Sequence, residues 1–353
     1  MKTTRWKHEM ELRGTAGQSL GRHVCEPDLE PAREAIRLDA LRDGAAFDIP
    51  SSGFGSGPLW EQSRGEPYLA GIRVSHGGRE CIVAAEACFD DAARGISAML
   101  RDLGQIAVEE RVDFEVLAFP DETPPATVKA RFQIEDLPST PVTRKVDLAA
   151  WTASSTAVDE DTNPQLPVFI PGQVIDELHA RSLAADGIET GSILVGHLCR
   201  DRATGALAAL VTAQLPAEGT TGDATRLKFT PATWEAAMTA VRGRGLGEMM
   251  MGTSHSHPAR AWCAKCPPER QRACAFAQPF VSPEDRILHR SVFVRAWCVS
   301  LVVVDAVGGV RNGLFGWQHG ALVRRGYRLL NNGEGGIFPD SSHSTKSSHA
   351  KKN

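Results

Sequence analysis

The sequence predicts an α/β (α+β) protein. Short apolar runs bounded by turn residues recur along the 353-residue chain, and several are paired as hairpins. Between them lie segments in which apolar residues return every three or four positions, as on one face of a helix. Hydrophobic residues make up 42% of the chain, which is sufficient for one large domain or two modest ones.

Residues 1–65 are predicted to be an N-terminal extension that contains a short helix and a linker. The helix falls near residues 30–42 and stops at Gly44. Residues 49–67 are rich in glycine, serine and proline, a composition typical of loops and linkers.

Residues 66–150 are predicted to form a small α/β domain whose role the sequence does not indicate. Apolar runs on either side of a Ser-His-Gly-Gly turn indicate a hairpin, and Asp90 and Asp91 can cap the helix that follows it. The predicted strands of this domain are 68–74, 80–87, 114–119 and 128–134.

Residues 151–165 are predicted to be a second linker, since most of them are residue types that stay solvated. A larger domain is expected over 166–332, with helices beginning near Pro171 and after Thr230. Its predicted strands are 189–199, 206–215, 225–229, 247–257, 299–305, 310–316 and 321–327. Residues 333–353, rich in Ser, His and Lys, are predicted to be a disordered tail.

Composition excludes several classes of function. The net charge of −4 offers no electrostatic footprint for nucleic acid. No run of about eighteen apolar residues predicts a membrane span, and the polar N-terminus does not have the pattern of a signal peptide. Eight cysteines in such a chain favour free thiols or metal ligands over a disulfide framework, so we expect a cytoplasmic protein.

Two histidines and one aspartate have the spacing of a metal site. His255 and His257 lie two residues apart at the end of a predicted strand, so both imidazoles project from the same face. Asp285 lies in the first turn of the helix that Ser282 begins. Three protein ligands leave a fourth tetrahedral position for water, which is typical of catalytic zinc.

Two further residues supply the remaining chemistry of a hydrolase. Glu189, at the start of a predicted strand, is the candidate general base and then the acid for the leaving amine. Ser282 can donate its hydroxyl to an oxyanion. Taken alone, Ser-Pro-Glu-Asp at 282–285 is also an ordinary helix start, with a serine cap and proline at the first position.

The combination resembles the JAMM (MPN-plus) metallopeptidases, whose pattern is an upstream Glu, then His-x-His-Pro, then Ser-x-x-Asp. The resemblance implies that His255, His257 and Asp285 hold zinc, that Glu189 activates water and that Ser282 stabilises the oxyanion.

The resemblance covers about residues 166–330. It implies a curved, mostly antiparallel sheet flanked by helices, akin to the deaminase architecture. One departure is the long segment 259–281 between the His-x-His-Pro and Ser-x-x-Asp elements, where most members have a shorter connection. Extra length in a loop costs little stability.

The inserted segment contains a possible second metal site. Cys263 and Cys266 have the Cys-x2-Cys spacing of a half-site for thiolate ligation, and Cys274 adds a third sulfur. The fourth ligand is left open among Cys298, His289, Cys199 and a partner chain. A structural metal, an iron–sulfur cluster and three reduced thiols are all compatible with this pattern.

By the resemblance, the chain is expected to be a zinc isopeptidase that cleaves at the C-terminal tail of a ubiquitin-like or sulfur-carrier protein. A conjugation or activating enzyme is a further expected partner. Two alternatives stay open: a non-catalytic scaffold subunit of the same fold, and a zinc amidase that acts on a small substrate.

Overall fold

A computed structural model describes residues 5–121, 138–217, 221–222 and 227–331. In the N-terminal part, the elements are β1 (Trp6–Gly14), β2 (Ser19–Cys25), α1 (Glu30–Arg42), β3 (Gly55–Trp60), β4 (Leu69–His76), β5 (Arg79–Ala84), α2 (Ala85–Asp102) and β6 (Val112–Pro120). The next elements are β7 (Thr143–Val146), α3 (Leu148–Ala153), β8 (Ser155–Val158), β9 (Val168–Pro171), α4 (Gly172–Ala184), β10 (Gly191–Asp201) and β11 (Leu207–Pro216).

After the hairpin of β10 and β11, the chain continues through the part that carries the predicted chemistry. These elements are β12 (Thr221–Gly222), β13 (Leu227–Lys228), α5 (Pro231–Arg244), β14 (Met249–His257), α6 (Ala259–Trp262), α7 (Pro268–Gln271), α8 (Pro283–Val292), β15 (Val299–Ala306), β16 (Gly309–Gln318), β17 (Ala321–Arg325) and β18 (Tyr327–Leu330).

Two small sheets form in the N-terminal part. One has the order β2-β1-β6 and the other the order β3-β4-β5. Helices α1 and α2 pack on them, and the shared core includes Met10, Leu12, Ile36, Val83 and Phe89. Each of these side chains is almost completely buried.

A ten-stranded sheet carries the predicted site. Its order is β17-β16-β15-β14-β10-β11-β9-β18-β8, and β7 pairs with β10. Strands β10 and β11 form an antiparallel hairpin, and β14 pairs antiparallel with β10 but parallel with β15. Helix α4 packs on the sheet through Val174, Ile175 and Leu178, within the main apolar core.

The sheet is curled. Strands β17 and β18 are consecutive in the chain, with only Gly326 between them, yet β17 pairs with β16 at one edge while β18 pairs with β8 and β9 near the other. The strand order therefore brings its two ends close together. The fold is a mixed α/β structure with a curled, mostly antiparallel sheet flanked by helices, which confirms the predicted class at that level.

Several predicted elements are confirmed. Helix α1 covers the predicted 30–42 segment, and β4 and β5 form the predicted hairpin. In the larger part, β10, β11, β14, β15 and β16 lie where strands were expected, and Thr230 caps α5.

The N-terminal 65 residues contain more structure than predicted. Strand β1 pairs along its whole length with β6 and also with β2. Its side chains alternate, with His8, Met10 and Leu12 buried, so the period-two signal was present in the sequence. Strand β3 lies in the predicted linker, where Gly-Ser-Gly-Pro composition concealed a strand that pairs with β4.

Three other boundaries were wrong. Helix α2 begins at Ala85 rather than at Asp90 or Asp91, both of which lie inside the helix. Strand β8 lies in the predicted 151–165 linker, where it pairs with β18 at the sheet edge. The predicted strand 321–327 is two strands, because the chain leaves β16 at Gly326 to join the opposite end of the sheet.

The predicted strand 128–134, part of the predicted strand 225–229 and the tail 333–353 lie outside the described residues. The domain bounds 1–65, 66–150, 151–165 and 166–332 stay predictions. Strand pairing nevertheless joins β1 to β6 and β7 to β10, across two of these bounds.

No described helix has the length and apolar character that crossing a membrane requires.

Strands β14 and β15 approach so closely at Gly252 that a side chain there should destabilise the protein. A Cβ added there would lie 1.7 Å from the carbonyl oxygen of Val299, and the residue has φ +146°. We expect Gly252→Ala to lower the free energy of unfolding by at least about 3 kcal/mol, because either the strand contact or the backbone must shift. Urea denaturation measures this.

Gly243→Ala is the matched control. Gly243 lies in the last turn of α5, and nothing lies within 4 Å of a Cβ added there. Alanine is expected to be neutral or stabilising there, by up to about 1 kcal/mol. Equal stability of the two variants would contradict the described pairing of β14 with β15.

Candidate functional site

All five residues predicted to carry the chemistry line one cavity of about 750 Å³. The lining comprises Glu189, Lys228, His255, His257, Trp262, Phe276, Phe280, Ser282, Glu284 and Asp285. They come from the residues just before β10, from β13, the end of β14, the start of α8 and the 259–281 segment. The structure thus brings together residues that are separated by nearly one hundred positions in the chain.

His255 and His257 lie at the end of β14, and Pro258 follows them where the strand stops. The Nε2 atoms of the two imidazoles are 3.1 Å apart, and both side chains are buried, with exposed fractions of 5% and 2%. His255 Nε2 also lies 3.4 Å from Asp285 Oδ2. These contacts run as a chain through His255.

The spacing fits a tetrahedral ion. With zinc–nitrogen and zinc–oxygen bonds of about 2.0–2.1 Å, two ligand atoms on a tetrahedron are separated by about 3.3 Å. The two measured separations, 3.1 and 3.4 Å, bracket that value. Two imidazoles and a carboxylate are also a donor set that zinc accepts. The residues present therefore fit the metal that the sequence pattern implies.

Electrostatics hold His257 in the form that can bind a metal. Burial, followed by the neighbouring His255, lowers the pKa of His257 to about 3, although Asp285 acts in the opposite direction. The ring is therefore neutral at physiological pH, and its unprotonated nitrogen can bind a metal ion. Its Nδ1 atom is buried and has no hydrogen-bond partner among the described residues.

Asp285 and Ser282 form a capping box at the start of α8. Ser282 N–H donates to Asp285 Oδ2 at 2.8 Å, and Asp285 N–H donates to Ser282 Oγ at 3.1 Å. Burial acts to raise the pKa of Asp285, but His255 and the hydrogen bonds from Ser282 hold it below its usual range. Asp285 Oδ2 both caps the helix and lies near His255, so residues 282–285 can be an ordinary helix start and also carry a candidate metal ligand.

Glu189 is positioned by the pairing of β10 with β14. Gly191 pairs with His255, and the contact continues one residue further, where Ser256 N–H donates to Thr190 O at 2.8 Å. Thr190 N–H donates to Ser256 Oγ at 2.8 Å, and the two hydroxyls are 2.9 Å apart. Glu189 precedes Thr190 and is only 9% exposed.

Ser256 is a residue whose role the sequence pattern did not indicate. Its side chain does not line the cavity but attaches β14 to the residue beside Glu189. The alternation of a strand contains the signal, since the residue between two same-face histidines must point to the opposite face.

His289 is another residue with a different environment from the one expected. It was a candidate fourth ligand for the cysteines, but it lies fully buried one turn after Asp285, with Nε2 3.1 Å from Thr253 Oγ1. Burial lowers its pKa to about 3, although Asp285 acts in the opposite direction. It is a neutral imidazole beneath the site.

The three insertion thiols form a second cluster. The sulfur atoms of Cys263, Cys266 and Cys274 all lie within 4.8 Å of one another. Cys263 is buried, and the other two are partly exposed. No fourth histidine, cysteine, aspartate or glutamate joins them among the described residues, so Cys298, Cys199 and His289 are each wrong as the fourth ligand within the chain.

Cys298 and Cys199 are excluded by their surroundings. Cys298 packs in the main core with Phe293 and Trp297, and Cys199 packs against Phe169 in a separate cluster. Burial raises the pKa of Cys199 to about 12, which is the behaviour of an inert core thiol.

The 259–281 segment is more ordered than its composition predicts. It contains α6, α7 and single turns of tight helix at Cys263–Lys265 and Ala275–Ala277. Ala259 and Ala277 pack on Val302 and Val304 of β15 in a small apolar cluster. Small residues on the segment thus meet an apolar surface on the sheet, which holds the insertion in place.

This segment supplies an aromatic side to the cavity that the motif alone did not predict. Trp262, Phe276 and Phe280 all line it. Ring centroids of His257 lie 5.1 Å from Trp262 and 4.4 Å from Phe280. A cluster of aromatic residues beside the cysteines in an otherwise polar insertion was the available signal.

Comparison with known proteins adds little. No protein-family model matches the chain, and no curated protein matches it. Among solved structures, the chain is similar to the solution structure of protein DSY2949 from Desulfitobacterium hafniense, with a TM-score of 0.32 and 16% identity. That similarity covers 47% of this chain and 94% of the other. A TM-score of this size does not establish a shared fold.

Ser256→Ala tests how Glu189 is positioned. The substitution leaves the partly buried Thr190 N–H without the acceptor that it meets at 2.8 Å. We expect the free energy of unfolding to fall by about 1–3 kcal/mol, the cost of an unsatisfied buried donor.

Ser291→Ala is the control for this prediction, since the exposed Ser291 hydroxyl donates only to Ile287 O in its own helix. Its effect should stay within about 0.5 kcal/mol. Chemical denaturation of both proteins distinguishes the two, and a Ser256→Ala effect no larger than that of Ser291→Ala would show that the Thr190 contact does not hold β10 to β14.

Proposed function

We propose that this chain is a zinc-dependent metallopeptidase of the JAMM (MPN-plus) type. In this proposal, it hydrolyses peptide or isopeptide bonds at the C-terminal tail of a ubiquitin-like or sulfur-carrier protein. The observation that carries the proposal is the single cavity in which Glu189, His255, His257, Ser282 and Asp285 meet. The curled sheet flanked by helices is compatible with the JAMM/MPN fold that the motif implies.

The proposed metal ligands are His255 Nε2, His257 Nε2 and a carboxylate oxygen of Asp285. Zinc bound there would supply Lewis acidity toward the scissile carbonyl and toward water. Burial keeps His257 neutral. At Asp285, burial acts to raise the pKa, but His255 and the hydrogen bonds from Ser282 outweigh it and keep the carboxylate ionised. Both protonation states are the ones that a metal site needs.

Glu189 is proposed to move the proton. A carboxylate at the cavity wall can accept a proton from the attacking water and return it to the leaving amine. Its low exposure keeps bulk water from competing for that proton. The β10–β14 pairing holds it on the same side of the sheet end as the two histidines.

Ser282 is proposed to stabilise the oxyanion. Its Oγ accepts the N–H of Asp285, and its hydroxyl hydrogen-bonds the Asp285 carboxylate, so the proton would turn from that carboxylate to the oxyanion. A donor directed at the oxygen on which charge develops is worth about 2.7–4 kcal/mol in comparable hydrolases.

A small-molecule zinc amidase is the second candidate. A cavity of about 750 Å³ with three aromatic side chains on one side has the size and lining of a small-ligand site. Lys228 and Glu284 add one charge of each sign to the lining.

All eight cysteines are free thiols, which favours a reducing compartment such as the cytoplasm for either function.

Glu189→Gln tests the proton-transfer role. We expect the turnover number on a ubiquitin-like protein fused through its Gly-Gly tail to a reporter peptide to fall by about 10²–10⁴-fold. The amide has nearly the same shape as the carboxylate, so zinc content and thermal stability should stay unchanged. Glu61→Gln, in the N-terminal part, is the control and should keep full activity. Retained turnover in Glu189→Gln would remove Glu189 as the base.

Metal removal tests the cofactor. Dialysis against a zinc chelator is expected to abolish cleavage, and excess zinc should restore it, because the proposed activation of water at His255, His257 and Asp285 needs the ion. Cleavage and metal content are measured on the same samples. Activity that survives complete removal of metal would exclude a metallopeptidase. Cleavage of small amides alone would favour the amidase, and binding of a tail without cleavage by the zinc-loaded protein would favour a scaffold.

A further inference from the structure

The cluster of Cys263, Cys266 and Cys274 lies outside the proposed catalytic residues but next to the cavity that they line. We propose that the three thiols bind a single thiophilic divalent ion of the zinc class, and that this ion braces the aromatic side of the cavity. The expected total of two bound ions rests on the function proposed above, whereas the thiol-bound ion and the brace do not.

The sulfur spacing favours one ion over an iron–sulfur cluster. Zinc–sulfur bonds of about 2.3 Å place two sulfurs of a tetrahedral site about 3.8 Å apart. The three sulfurs all lie within 4.8 Å of one another. In an iron–sulfur cluster, thiolates on different iron atoms are separated by the cluster itself, which needs a wider arrangement.

The backbone around the thiols already has the turns that such a site needs. Cys266 N–H donates to Cys263 O at 2.9 Å, which closes the Cys-x2-Cys turn. Phe276 N–H donates to the sulfur of Cys274 and orients it toward the other two thiols. Gln271 Nε2 donates to Cys266 O at 3.0 Å and holds the intervening segment against the turn.

The fourth position is open to an external ligand. No fourth donor side chain belongs to this group in the part of the chain that the structure describes. Cys266 and Cys274 are partly exposed, so this position can hold water or a small ligand.

The thiols connect the two segments that carry the aromatic side of the cavity. Trp262 directly precedes Cys263, and Phe276 follows Cys274 by two residues. The Trp262 and Phe276 ring centroids are 6.0 Å apart, and those of Phe276 and Phe280 are 6.1 Å apart. His257 contacts both Trp262 and Phe280, which closes a ring of four side chains.

Besides the thiols, side-chain packing links the two aromatic segments, through the Trp262–Phe276 ring contact and through their shared packing on β15. Arg260 pairs with Asp305 at 2.9 Å, and Ala259 and Ala277 pack on β15. An ion bound by sulfurs from both segments would fix the separation of Trp262 from Phe276. It would thereby fix the shape of the cavity beside His257.

The first test is metal content of the full-length protein. Wild type should bind two equivalents of zinc, and the cobalt-substituted protein should show thiolate-to-cobalt charge-transfer absorption. The Cys266→Ser/Cys274→Ser variant should keep one equivalent and lose that absorption. The His255→Gln/His257→Gln variant should also bind one equivalent of zinc, but its cobalt-substituted form should still show the charge-transfer absorption. Cys81→Ala, which changes a buried thiol of the N-terminal core, should match wild type.

The second test is the brace. Lys265, Arg270 and Arg272 are tryptic sites within the insertion. Trypsin should cleave these sites about tenfold faster in the Cys266→Ser/Cys274→Ser variant than in Cys81→Ala. The reason is that no bound ion stabilises the folded form of the insertion in that variant. The difference between the near-ultraviolet circular dichroism spectra of wild type and Trp262→Phe gives the contribution of Trp262. The Cys266→Ser/Cys274→Ser variant should lose that contribution.

Wild-type protein supplies the same comparison without substitutions, if the variant does not fold. Chelation should expose the three tryptic sites, and zinc should protect them again. A Cys266→Ser/Cys274→Ser protein that keeps both ions, a disulfide among the three cysteines in freshly purified protein, or loss of the ion without faster cleavage would each overturn the proposal. A protein with the thiol-bound ion but no hydrolytic activity would instead reject the proposed function and leave the brace supported.

Discussion

The antiparallel pairing of β10 with β14 is the constraint on which the site depends. Glu189 and His255 are far apart in the chain, and only this register places them at one end of the sheet. The Ser256 hydroxyl reinforces the pairing at the residue next to Glu189. On the other side of β14, the close approach of β15 at Gly252 leaves no room for a side chain. The strand that carries the histidines is therefore held from both sides.

Helix α8 connects this site to the N-terminal part of the chain. Its first turn carries Asp285, and its last turn carries Arg290, whose guanidinium reaches Asp28 at 3.5 Å, Asp91 at 3.3 Å and the carbonyl oxygen of Ala87 at 2.6 Å. Just beyond the helix, Arg295 pairs with the buried Glu34 of α1 at 2.8 Å. These ion pairs link α8 and the residues just after it to the region around α1 and α2. The N-terminal part thus helps to set the orientation of the helix that presents a candidate ligand.

The insertion changes the character of the cavity. Without the 259–281 segment, the motif residues would lie at an open sheet end. With it, the cavity has three aromatic side chains on one side and a thiol cluster behind them. The chemistry-bearing residues and the aromatic part of the lining therefore come from different segments of the chain.

The sequence by itself determined the local features. Hairpins, the Thr230 and Ser282 caps, the His-x-His pair on one strand face and the Cys-x2-Cys turn depend on residues a few positions apart, whose geometry follows from backbone periodicity. Tertiary structure decided the rest. Strand β3 and strand β8 exist because they find partners in β4 and β18, and their composition alone resembles that of a loop. The split at Gly326, the Ser256–Thr190 contact and the aromatic side of the cavity each join distant residues, and no local pattern specifies which distant residues will meet.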